Sequence, residues 1–206
     1  MSKTSIRWVI KFGGSLSQSA SLATWLKTLA ELPSVIVVPG GGLFADAVRT
    51  AQNSHGFDDL LAHDLAIRAM ALYGRMLIGM EPRLNPALTL TELIPRKQAN
   101  SPCLWLPDPK DPCLQNLKAT WDVTSDTIAA QLALELEIPA LLMVKSVDPG
   151  REELSLKVAI DQGLVDPALE GIVRKRDLTL WIKGPNPEGL AKALEDPVSS
   201  LTRLIA

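Results

Sequence analysis

The chain has 206 residues, a formal net charge of −2, 47% hydrophobic residues and 21% charged residues. That balance suits one globular α/β unit with a core of its own. Near-neutral charge argues against a general electrostatic grip on nucleic acid or anionic lipid, and no apolar run reaches the roughly 18 residues of a membrane span.

The first strand is an apolar run from Ile6 that ends in Lys11-Phe12-Gly13-Gly14-Ser15. No signal-peptide core precedes it, so a cytoplasmic location is expected. Ala20 to Leu32 reads as an amphipathic helix, with Leu22, Trp25, Leu26 and Leu29 at helical spacing. Val35 to Val38 has the wholly apolar, β-branched texture of a strand covered on both faces. It runs into Pro39-Gly40-Gly41-Gly42, after which Leu43 to Gln52 reads as helix. A long helix is expected over Asp58 to Met80, with Asp58 and Asp59 at its start and Gly74 as a weak point in its middle. Prolines then crowd 82–112. Short extended pieces are expected at Ala87–Leu90 and Cys103–Leu106, joined by a helix broken near Pro95. Val123 to Glu137 reads as a helix capped by Thr124 or Ser125, and Ala140 to Val144 as a buried strand leading into Lys145-Ser146-Val147-Asp148. Leu154 to Val173 reads as mixed and mostly helical. Leu178 to Ile182 reads as a strand, Pro187 to Leu194 as a helix, and Leu201 to Ile205 as a last strand. Strands alternating with helices predict a three-layer α/β/α sandwich around a mainly parallel sheet. The two cysteines, Cys103 and Cys113, read as reduced thiols. His55 and His63 have no metal-site spacing, so no metal-ligating residues are assigned.

In a parallel sheet the carboxyl ends of the strands share one rim, where ligands bind. Four chemistry-bearing pieces fall there: the Lys11–Ser15 turn, the triple glycine, Thr124-Ser125-Asp126 at a helix start, and Lys145–Asp148. Glycine turns let backbone N–H groups approach phosphate oxygens, and a helix N-terminus adds positive potential. Two such turns with a lysine and an acid between them are the equipment of phosphoryl transfer. The G-x-x-x-x-G-K-[ST] loop and the G-x-G-x-x-G fingerprint are both absent, which excludes a P-loop enzyme and weighs against a dinucleotide-binding dehydrogenase.

The order Lys-Phe-Gly-Gly-Ser, Gly-Gly-Gly, Thr-Ser-Asp-Thr-Ile-Ala-Ala and Leu-Leu-Met-Val-Lys-Ser-Val-Asp resembles the amino acid kinase superfamily along nearly the whole chain. The resemblance implies one kinase domain over 1–206, with an acceptor-side half to about residue 120 and a nucleotide-side half after it. It implies ATP and Mg²⁺ as cofactors, a small acceptor, and self-association. Under it, Lys11 stabilises the transferring phosphoryl group, Gly13, Gly14 and Ser15 surround the nucleotide phosphates, and Gly40, Gly41 and Gly42 face the acceptor. Asp126 holds the active-site lysines, and Lys145, Ser146, Val147 and Asp148 begin the nucleotide-base loop.

Trp121 to Asp126 (Trp-Asp-Val-Thr-Ser-Asp) and Val165-Asp166-Pro167 after Gly163 resemble a small branch of the superfamily, the kinases of methanofuran biosynthesis. That likeness implies a phosphate monoester acceptor, (5-(aminomethyl)furan-3-yl)methyl phosphate, converted to its diphosphate. Carboxylate, nucleotide and isopentenyl phosphate kinases, and a non-catalytic nucleotide sensor, are the alternatives. A second lysine, which many members carry in a Gly-Gly-Met-x-x-Lys stretch, is missing; Lys183 or the Arg174–Arg176 cluster is the expected replacement. Asp64 and Asp122 are candidates for the acceptor's ammonium or are solvated. Trp121 either stacks on the acceptor ring or packs. Thr124 is placed on the acceptor side, and Arg49 is a candidate for the acceptor phosphate or an exposed helix residue.

Overall fold

The computed structural model describes residues 8–33, 35–96, 101–173 and 178–205. The expectations for Ile6, Arg7 and the Arg174–Arg176 cluster fall outside these. Alternation along the central strands decides which face each side chain serves. In β1 (Trp8–Phe12), Trp8, Ile10 and Phe12 join one core with α1 (Leu22–Glu31), whereas Val9 joins the other core. In β5 (Ala140–Val144), Leu142 and Val144 side with the first core and Leu141 and Met143 with the second. The second core is lined by α5 (Ser125–Glu135), so Lys11 and Lys145 follow Val9 and Met143 toward α5.

Among the described residues eight strands form one sheet, in the order β3-β4-β2-β1-β5-β7-β8-β6. β1 is central and parallel to β2 (Val35–Pro39) and β5, with Lys11 in register with Val38 and Met143. Between them the chain forms a 3-10 turn over Gly14–Gln18, then α1, and later α2 (Gly42–His55) and α3 (Asp59–Met80). Asp58 caps α3, accepting from the Leu61 N–H at 2.9 Å. Gly74 lies where α3 meets the sheet: a β-carbon there would stand 2.5 Å from Leu106 Cδ2 and 2.9 Å from Leu104 Cδ2. The glycine that weakens the helix pattern in sequence is thus what lets α3 lie close on the strands.

The proline-rich stretch forms the sheet edge: β3 (Asn85–Ala87), α4 (Leu90–Arg96) and β4 (Cys103–Trp105). The expected strand over Ala87–Leu90 stops at Ala87 because Thr89-Leu90-Thr91-Glu92 is a helix start. Thr89 Oγ1 accepts from the Glu92 N–H (3.2 Å), and the Glu92 carboxylate accepts from the Leu88 N–H (2.8 Å). Cys103 and Cys113 are buried and form no disulfide, and burial pushes the Cys113 thiol up to about 12.

β6 (Glu153–Ser155), α6 (Leu156–Asp161) and α7 (Leu169–Val173) resolve the mixed stretch. β7 (Thr179–Lys183) is parallel to β5; after α8 (Leu190–Glu195) comes β8 (Thr202–Ile205), which runs antiparallel to β7. At about 1.5 Å per residue a six-residue helix is shorter than the strand it follows, which rises about 3.3 Å per residue. The chain therefore enters β8 from the same rim it left. No helix among the described residues is long and apolar enough to cross a membrane.

Candidate active site

The two glycine turns interlock at the rim. The Gly40 N–H donates to the Phe12 carbonyl at 2.8 Å. A β-carbon on Gly40 would collide with Gly14 N, one on Gly14 with Gly42 N, and one on Gly13 would lie 2.7 Å from the Val144 carbonyl oxygen. Only glycines allow this contact of backbone on backbone. Gly42 adopts a left-handed φ of 54° and starts α2, so that helix directs its N-terminus into the gap.

Asp126, in the first turn of α5, is buried under the rim. Its Oδ1 meets Lys11 Nζ at 3.1 Å and its Oδ2 accepts from Lys145 Nζ at 2.6 Å. Burial pushes this carboxyl up, yet the pull of the two lysines outweighs it and holds it at about 2. Burial brings the Lys145 ammonium down to about 8 against the attraction of Asp126. Lys145, expected in the nucleotide-base loop, therefore faces Lys11 across one carboxylate. Lys183, expected opposite Lys11, shares the other face of the sheet with Trp181 by strand alternation. It sits with Asp148 and Gly184 in a second depression of about 250 Å³. Burial lowers its ammonium, opposed by the charges of Asp148 and Glu188. Ser146 and Val147 are exposed beside that depression.

A cleft of about 240 Å³ opens in front of the glycine turns. Gly14, Ser15, Gly41 and Gly42 form its rim end. Asp46 and Arg49 of α2 and Asp59 and His63 of α3 line one wall, and Trp121, Thr124 and Ser125 the other. The Arg49 guanidinium lies 4.3 Å from the Trp121 ring centre, Trp121 Nε1 donates to Gln52 Oε1 (2.6 Å), and Gln52 Nε2 donates to Asp59 Oδ1 (2.8 Å). Asp64 does not line this cleft. It is one residue, about 100° of helix, off the Asp59–His63 stripe, and it pairs with Arg68 at 2.7 Å. Asp122 is exposed and outside the cleft as well, while Arg49, Trp121 and Thr124 lie in it.

In the sequence Asp166 stands out only within the Val165-Asp166-Pro167 motif. Its carboxylate accepts from the Thr124 N–H (2.8 Å), the Thr124 hydroxyl (2.5 Å) and the Thr127 N–H (3.0 Å) at the start of α5.

A mainly parallel sheet, interlocked glycine turns and a buried carboxylate clasped by two lysines on the shared rim define a phosphotransferase with the amino acid kinase fold. No family model matches the chain. It is similar to the [5-(aminomethyl)furan-3-yl]methyl phosphate kinase of Methanocaldococcus jannaschii, at 26% identity over 212 residues that cover 96% of this chain and 97% of that protein. Among solved structures it superposes on the uridylate kinase of Archaeoglobus fulgidus with a TM-score of 0.73 at 19% identity, covering 97% of this chain and 100% of that one. The isopentenyl phosphate kinase of T. acidophilum, solved as a product complex, gives 0.61 at 16% identity over 96% and 99% of the two chains.

Proposed function

We propose that this protein transfers the terminal phosphoryl group of ATP to the phosphate of a small phosphate monoester, (5-(aminomethyl)furan-3-yl)methyl phosphate, giving the diphosphate and ADP in methanofuran biosynthesis. The observation that carries the reading is Asp126 held between Lys11 and Lys145 directly beneath two interlocked glycine turns. The end-to-end similarity to a kinase of that acceptor supports the choice of substrate.

An acceptor phosphate oxygen forms the new bond to the γ-phosphorus. The bond from that phosphorus to the bridging oxygen breaks, and ADP leaves with the electron pair. The acceptor is already ionised, so no side chain has to take a proton. Catalysis then reduces to positioning and charge stabilisation. Gly13, Gly14 and Ser15 hold the donor phosphates, and Gly40, Gly41 and Gly42 with the N-terminus of α2 hold the acceptor phosphate. Lys11 and Lys145 balance the charge that spreads over the transferred group, and Asp126 keeps both ammoniums in place. Lys183, Gly184 and Asp148 receive the nucleotide's outer part, and Trp121 presents a flat apolar face to the acceptor ring. Among the described residues no group of three or more His, Cys, Asp or Glu is placed to hold a metal. Mg²⁺, when bound with ATP, would supply further positive charge against the phosphates, and no side chain of this chain is assigned to it.

The test is ATP-to-ADP turnover against the aminomethylfuran phosphate, UMP, isopentenyl phosphate, N-acetylglutamate and aspartate. A kcat/KM at least tenfold higher for the furan phosphate supports the reading. Preference for another phosphate monoester replaces the acceptor, and ATP binding without turnover of any acceptor defeats the kinase reading.

A further inference from the structure

We infer that Asp166 is a positioning residue of the phosphoryl-transfer centre: from a distant loop it caps α5 and so fixes where Asp126 holds its lysines. The inference rests on the kinase reading above. A helix start leaves backbone N–H groups without partners, and the residue just before the helix commonly accepts from them. Thr124 stands at that position in extended conformation, yet its hydroxyl makes no such bond. It donates outward instead, to Asp166 Oδ1, while Asp166 Oδ2 accepts from the Thr124 and Thr127 N–H groups. Asp166, 42 residues beyond Thr124, therefore does the capping in its place.

The two residues that Asp166 grips flank Asp126. Asp126 cannot slide along or rotate about the helix start without breaking one of these bonds. The loop has a second anchor, where the Ala168 N–H donates to the Asp122 carbonyl at 3.3 Å. Val123 lies between the two anchors, and both it and the anchored Thr124 line the acceptor cleft. One buried carboxylate thus ties a loop from beyond β5 to the lysine-holding aspartate and to the acceptor wall.

Electrostatics argues that the bonds, rather than burial, are what Asp166 is kept for. Burial pushes its carboxyl up, and the neighbouring Asp126 charge pushes it further; the Thr124 and Thr127 bonds and Lys11 oppose them. Two carboxylates side by side would separate if nothing held them. The charge also reaches Lys145, whose proton is held by Asp126 and Asp166 and repelled by Lys11.

The experiment uses the full chain and the isosteric variant Asp166→Asn, whose amide cannot accept all three bonds. A displacement of about 1 Å at a reacting centre costs on the order of 100-fold, so kcat is expected to fall about 10- to 100-fold. Affinity for a non-hydrolysable ATP analogue should change less than threefold. The Lys145 ammonium, followed by NMR in the ¹⁵N-lysine-labelled protein, should titrate at lower pH than in the wild type, because a negative charge beside it is gone. Thr124→Val removes one bond only, and its kcat should fall in the same direction by a smaller factor; it also serves should Asp166→Asn not fold. Turnover within twofold of wild type in Asp166→Asn overturns the inference. So does a loss of turnover with an unmoved Lys145 titration, which marks a purely structural residue. Should the wild type phosphorylate no acceptor, the kinase reading fails, and the Lys145 titration alone then decides what Asp166 does.

Discussion

Lys145 is a buried cation whose proton the proposed chemistry requires, and raising the pH removes it. Burial holds the ammonium at about 8 instead of 10.5. At about 1.36 kcal/mol per pH unit the gap corresponds to roughly 3 kcal/mol. The sign for stability follows from proton counts. Between about pH 8 and 10.5 the unfolded chain still binds a proton that the folded chain has released, so stability from this group rises with pH across that window. Below pH 8 both states are protonated and the full penalty of about 3 kcal/mol stands. Activity should move the other way. With the acceptor also held far below its KM, kcat/KM for ATP reports the substrate-free enzyme and should fall about tenfold per pH unit above a midpoint near 8. Bound phosphates attract the ammonium's proton, so the fall in kcat should lie at higher pH. Lys145→Arg carries a charge that does not titrate in this range; whatever activity it retains should lack the fall. The assay pairs coupled ADP release with urea unfolding from pH 7 to 10, in the wild type and in Lys145→Met. A kcat/KM flat to pH 9.5, or an unmoved fall in Lys145→Arg, would refute the assignment of Lys145.

Asp126→Asn leaves two ammoniums facing each other over a neutral amide. Breaking a buried ion pair in this way costs about 3–5 kcal/mol, to be read from urea midpoints, and turnover should drop at least about 100-fold. In acid the wild type should lose the stability of this cluster as pH falls through about 2, because the depressed carboxyl contributes fully only above its unfolded value. Gly40→Ala drives a β-carbon into the Gly14 backbone; a loss of about 1–3 kcal/mol is expected, and an unchanged urea midpoint would count against the interlocked turns. Trp121→Ala removes the face over which Arg49 lies and should raise KM for the acceptor while leaving that for ATP within about twofold, allowing about 1 kcal/mol for an aromatic contact. Lys183→Ala should raise KM for ATP with kcat within threefold; a large fall in kcat alone would restore Lys183 as the partner of Lys11.

Periodicity made the long elements legible. The apolar stripe of α1 and the β-branched run of β2 each have one arrangement that buries them, whatever lies around. Short elements were not legible in this way. β6 spans three residues at a sheet edge, too few for alternation to register. The start of α4 did carry a local signal, the threonine-to-glutamate spacing at Thr89 and Glu92, which the apolar pattern of Ala87–Leu90 masks. At the site, a one-residue step decides between a cleft-lining side chain and a neighbour turned about 100° away, which is why His63 lines the cleft and Asp64 does not.

By itself the sequence determined the layered α/β architecture, the two glycine turns and the placing of Lys11 and Asp126 at one rim, because these depend on local backbone needs and on motifs read in order. Only the tertiary structure decided that Lys145 stands opposite Lys11, that Lys183 faces away, and that Asp166 caps a helix begun 42 residues earlier. Strand alternation assigns a side chain to a face of its own strand, but which face meets α5 depends on the pairing of β1, β5 and β7. That register is set by contacts between segments far apart in the chain, which no local pattern carries.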